Sequence, residues 1–113
     1  MGLFKKTRPD KNKINTFCDW FVENNESIIS SVENKEIDSN RMYKILDEVE
    51  DRLSIVYREG YKGNIEFDYG FNGKKWDFNL YHMNVNFLIE ATSQIADELN
   101  NRIGDKWIIN TSK

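Results

Sequence analysis

Between Tyr61 and Met83, large apolar side chains recur at every second position on both sides of Asn72-Gly73, a pattern that specifies a β-hairpin. With Asn72 and Gly73 at the two central positions of a type I′ turn, Phe71 faces Lys74, Tyr69 faces Trp76, Phe67 faces Phe78 and Ile65 faces Leu80. One face becomes an apolar plate of Ile65, Phe67, Tyr69, Trp76, Phe78 and Leu80, with Phe67 and Phe78 expected in the core. A slip of one residue would turn that whole set to water, so the choice of face is strongly constrained.

The same pairing sets Glu66 opposite Asn79, Asp68 opposite Asp77 and Gly70 opposite Lys75 on the polar face. Asp68 and Asp77 then meet at a non-hydrogen-bonded position, where Cα atoms stand about 4.5 Å apart. Like charges so placed repel. The pair, with Glu66 diagonal to it and His82 at the strand end, is a candidate cation or ligand site built on oxygen ligands. The plainer alternative is neutralisation by Lys75 in open solvent.

Helical periodicity surrounds the hairpin. Ile14, Phe17, Cys18, Phe21, Val22, Ile28, Ile29 and Val32 share one face, with Asn24-Asn25 as a point where the helix could bend. A second helix is expected from Asp38 or Ser39, either able to cap it, through Met42, Leu46, Val49, Leu53, Val56 and Tyr57 to a stop at Gly60. The short link makes the two an antiparallel pair. A third helix, capped by Asn84 or Asn86, carries Leu88, Thr92, Ile95, Ala96, Leu99 and Ile103 and closes at Gly104. Trp107-Ile108-Ile109 then reads as a short strand docked on the sheet or in a partner, the helix before it being long enough for a crossover between strands. The fold class is α+β in the order α-α-β-β-α-β, a small antiparallel or mixed sheet packed on helices.

A chain of 113 residues is about one domain and buries roughly two thirds of its unfolded surface without staples. The division expected is a basic arm over 1–13 and a single domain over 14–113. Lys5, Lys6, Arg8, Lys11 and Lys13 against Asp10 give the arm +4, which leaves −7 for the remainder of a chain whose net charge is −3. An acidic body lacks the basic stripe that neutralises phosphates, so no nucleic-acid partner is expected. Apolar runs reach only about three residues, far short of the roughly 20 that span a bilayer, so no membrane partner is expected either. Met1-Gly2-Leu3-Phe4-Lys5-Lys6 misses the myristoylation pattern because Lys6 stands where Ser or Thr is needed. The lone Cys18 allows no internal disulfide and suits a reducing, cytoplasmic setting.

No catalytic residues can be assigned, and no cofactor or metal site is implied. His82, the only histidine, and Cys18 could form a thiol–imidazole pair, yet Cys18 sits within an apolar helical stripe and His82 at a strand end, both ordinary structural positions. One Cys and one His cannot close a zinc site. The more suggestive surface is the second helix, where Asp47, Glu50, Asp51 and Ser54 line up away from Leu46, Val49 and Leu53. Such an acidic ridge suits a basic partner. Glu48 lies off the ridge, and Lys44 and Arg52 are close enough to neutralise part of it.

Three functions are compatible with these features. The first is a cytoplasmic protein-interaction module, of inhibitor or immunity type, that binds a protein partner through the ridge. The second is a small-molecule or cation-binding domain, a hydrolase among its forms, using Glu66, Asp68, Asp77 and His82. The third is a homo-oligomeric building block, a homodimer in its simplest form, in which exposed sheet edges together with Trp107-Ile108-Ile109 pair strands or helices between copies.

Overall fold

A computed structural model of the chain describes residues 8–113. The myristoylation-like start and Lys5 and Lys6 of the basic arm lie outside the described residues.

Asp10 starts α1 (Lys11–Glu33): its carboxylate Oδ1 accepts from the N–H groups of Asn12 and Lys13 at 2.8 and 3.3 Å. Lys11 and Lys13, counted above with the arm, therefore occupy the first turn of the helix. The helix runs uninterrupted through Asn24-Asn25, whose carboxamides bond back to the carbonyls of Trp20 and Val22 at 2.9 and 2.6 Å. Asp38 caps α2 (Ser39–Tyr57) by accepting from Arg41 N at 3.1 Å, and Arg41 donates to Ser30 Oγ to tie α2 to α1. The helix stops just before Gly60, which lies against the ring of Phe87 so closely that a Cβ there would overlap it.

The sheet has the order β1-β2-β3, formed by β1 (Glu66–Phe71), β2 (Trp76–Tyr81) and β3 (Trp107–Ser112). β1 is antiparallel to β2, and β3 returns parallel to β2 through α3 (Asn86–Ile103), which makes the sheet mixed and fixes a pairing that the sequence left open. Neither asparagine caps α3. Asn84 and Met83 take positive φ values of 60° and 50° in the turn, where Asn is well tolerated, and Val85 holds the N-cap without a side-chain bond.

Alternation holds, and helices cover one face of the sheet. Trp76, Phe78, Leu80, Trp107 and Ile109 are buried there. Phe21 stacks on Phe78 with ring centroids 4.7 Å apart and meets Trp107 edge-on at 5.0 Å. Burying each of these large apolar side chains contributes about 1.5–3 kcal/mol. Ile65, Phe67 and Tyr69 pack at the margin of this core, half-buried, so Phe67 is less enclosed than the sequence suggests.

The hairpin register differs from the expectation by two residues. Phe71 pairs with Trp76, Tyr69 with Phe78, Phe67 with Leu80 and Asp68 with Asn79. The cause is Asn72. Its side-chain Oδ1 accepts from the N–H groups of Lys74 and Lys75, both at 2.9 Å, while Asn72 N donates to Lys75 O at 2.9 Å. Asn72 thus becomes the first corner of the turn rather than a central residue, and Gly73, at φ 101°, and Lys74 form its tip. Moving the turn centre by one residue slides every pair by two. The side-chain period is also two, so each residue keeps its face and changes only its partner.

Candidate functional site

The polar face of the sheet does not bring Asp68 and Asp77 together. Asp77 pairs with Gly70 and accepts from Asn72 Nδ2 at 3.2 Å. Asp68 Oδ1 accepts from Asn79 Nδ2 at 2.6 Å, and its Oδ2 from the Tyr81 hydroxyl at 2.8 Å. Asn110 Nδ2 in turn donates to Asn79 Oδ1 at 2.9 Å, so a polar rung crosses all three strands. The Tyr81 bond to the Asp68 carboxylate, with a smaller contribution from burial, raises the Tyr81 phenol above its ordinary value. Lys75 neutralises neither aspartate: its Nζ donates to Gly104 O at 2.6 Å, at the C-terminal end of α3.

Glu66 is exposed and pairs with Tyr81. His82 lies beyond β2 rather than opposite Gly63, and its Nδ1 accepts from Asn84 N at 3.1 Å within the turn leading to α3. Among the described residues, no three His, Cys, Asp or Glu side chains gather closely enough to hold a metal ion. A groove of about 590 Å³ runs between α1, the hairpin tip and the start of β3, beside Ile29, Glu33, Phe71, Lys74, Trp76 and Lys106. None of Glu66, Asp68, Asp77 or His82 lines it.

Cys18 is fully buried in the inward stripe of α1. Burial, reinforced by the negative charge of Glu98, pushes its thiol up to about 12, which holds it neutral.

The second helix presents the acidic surface on a face opposite its buried side. Val49, Leu53, Val56 and Tyr57 are buried on its inner side, while Asp47, Glu50 and Asp51 are exposed on the outer side. Ser54, half-buried, donates its hydroxyl back to Asp51 O at 2.6 Å. The nearby cations do not quench the ridge. Arg52 lies 3.9 Å from Glu48 and 5.0 Å over the ring of Trp20, turned toward α1. Among the described residues, Asp47, Glu50 and Asp51 form no ion pair.

Two further exposed residues belong to this surface. Tyr43 is 60% exposed and Ile55 56%, and they stand four residues before Asp47 and four after Asp51. Tyr43, Asp47, Asp51 and Ile55 therefore form one row along the helix, apolar at both ends and acidic in the middle. The spacing that defines the ridge contains this signal.

No helix among the described residues is long and apolar enough to cross a membrane. Comparisons with protein-family models, curated proteins and solved structures found no match to the chain.

Proposed function

We propose that this protein is a non-enzymatic, cytoplasmic interaction module that binds a basic protein partner through the outer row of α2, in the manner of an inhibitor or immunity protein. The observation that supports the reading most directly is the set of unneutralised carboxylates of Asp47, Glu50 and Asp51 between the exposed Tyr43 and Ile55. Carboxylates steer a cationic surface into register and reject wrong partners. The exposed aromatic and aliphatic ends supply contact area that is desolvated once the partner docks, which is where interface energy concentrates. A cationic cleft, such as that of an enzyme acting on nucleic acid, has the complementary charge.

The test is affinity capture from the source cytosol with the full chain, beside a variant carrying Asp47→Lys, Glu50→Lys and Asp51→Lys. All three positions are exposed, so the variant keeps its fold. The expected result is a basic partner retained by the natural chain, released by salt at concentrations that shrink the Debye length to about 3 Å, and not retained by the variant. Capture of the same partner by both chains, or of no specific partner by the natural chain, overturns the reading.

A further inference from the structure

We propose that the outer edge of β1 pairs with the same edge of a second copy, giving a two-fold dimer with Tyr69 on its axis and a continuous six-stranded sheet. In β1, the bond from Asn72 N to Lys75 O and the strict alternation of an antiparallel ladder commit the main chains of Glu66, Asp68 and Gly70 to β2. The N–H and C=O groups of Phe67, Tyr69 and Phe71 therefore point to the outside of the sheet. Among the described residues none of them is hydrogen-bonded, and Phe71 is 58% exposed. An edge of this kind is a template for another strand.

The opposite edge is blocked at its middle. The main chain of Ile109 faces outward from β3, and the carboxamide of Asn100 takes both of its groups, with Ile109 N donating to Oδ1 at 3.0 Å and Nδ2 donating to Ile109 O at 3.1 Å. An open β1 edge meets no continuous ladder on β3, which disfavours head-to-tail stacking of sheets. Self-association through β1 is therefore with another β1, and such a contact closes at two copies.

The strand is self-complementary in one register, and charge selects it. With Tyr69 opposite Tyr69 of the second copy, Phe67 meets Phe71 and Asp68 meets Gly70, so no acidic residue faces another. Three outward residues from each copy bond. A shift toward the start of the strand sets Asp68 against Asp68 and loses a bonded pair, and a shift the other way leaves little of the strand overlapped. Like charges directly opposite disfavour the first, and lost ladder bonds the second.

Light scattering on the full chain across a concentration series tests the assembly, with hydrogen exchange to locate it. The expected result is a reversible dimer of twice 13.4 kDa, with the amides of Phe67, Tyr69 and Phe71 gaining protection as it forms. Phe71→Lys, at an exposed edge position, should weaken it at least about tenfold. Gly70→Lys and Gly70→Asp test the register, because a Cβ at Gly70 meets nothing within 4 Å in the single copy and the cross-strand Asp77 faces either side chain in monomer and dimer alike. Lysine there faces Asp68 of the second copy and should tighten the dimer; aspartate should weaken it. A chain monomeric at every concentration overturns the proposal, as does a dimer unaffected by all three substitutions. Equal weakening by both Gly70 variants overturns the register.

Discussion

Asp68 and Asn79 face each other across β1 and β2 with Asn79 Nδ2 2.6 Å from Asp68 Oδ1, and the second carboxylate oxygen receives the Tyr81 hydroxyl. Asp68 is thus a structural acceptor. Asp68→Ala should lower stability by about 1 kcal/mol, a typical net hydrogen-bond contribution at an exposed site, whereas Asp77→Ala, with one longer bond to Asn72, should cost less. Urea unfolding of both variants gives the comparison, and an Asp77 loss equal to that of Asp68 would contradict it.

Tyr57 and Tyr69 carry buried hydroxyls without a hydrogen-bond partner among the described residues. Replacing Tyr57 with Phe should leave stability unchanged or raise it by about 1 kcal/mol, because an unmet buried donor is removed with almost no change in shape. A clear loss in thermal unfolding would show that the hydroxyl has a partner.

Burial pushes the Tyr69 phenol up to about 12 and raises that of Tyr57 as well. Unfolded, both titrate near about 10. Each is therefore still protonated in the fold where it has already ionised in the open chain. Their contribution is complete below about pH 10 and is lost as pH rises toward the folded values. Stability measured by urea should fall from about pH 10 to 12, and the fall should be shallower in Tyr69→Phe.

Cys18 should be inert to a thiol reagent such as a disulfide dye at about pH 8 in the native chain and react at once on unfolding, since the thiolate is the nucleophile and burial suppresses it. Rapid labelling of the folded protein would refute this.

Trp107 is fully buried and donates its Nε1 to Asn25 Oδ1 at 3.2 Å. Asn25→Ala should cost about 1–3 kcal/mol by leaving that indole N–H unpaired inside the core. Asn25→Gln, which keeps the acceptor, should recover part of the loss in chemical unfolding.

Element order and the buried face of the hairpin were legible because periodicity of 3.6 or 2 encodes which side of an element is apolar; the pairing of β3 was not, because its short apolar run fits either strand direction. The register was not. It depended on whether Asn72 lends the turn its φ or its side chain, a competition between two local geometries that both suit Asn-Gly. The polar partners of Asp68 and Asp77 follow register rather than face, so they changed with it. Tyr43 and Ile55 share the i, i+4 row of the acidic ridge and could have been read with it. The role of Asn25 was beyond reach, because its partner Trp107 is 82 residues away in sequence and only the tertiary fold makes them neighbours.

The contact of Phe21 and Asn25 with Trp107 joins the earliest helix to the latest strand. Closing so long a loop costs entropy that local structure cannot offset, and the reward arrives only when β3 docks beside β2. The kinetic consequence is a late, shared barrier. α1 and the hairpin gain their full stability only together with β3, so the chain should fold and unfold as one cooperative unit, more slowly than its helix content alone would suggest.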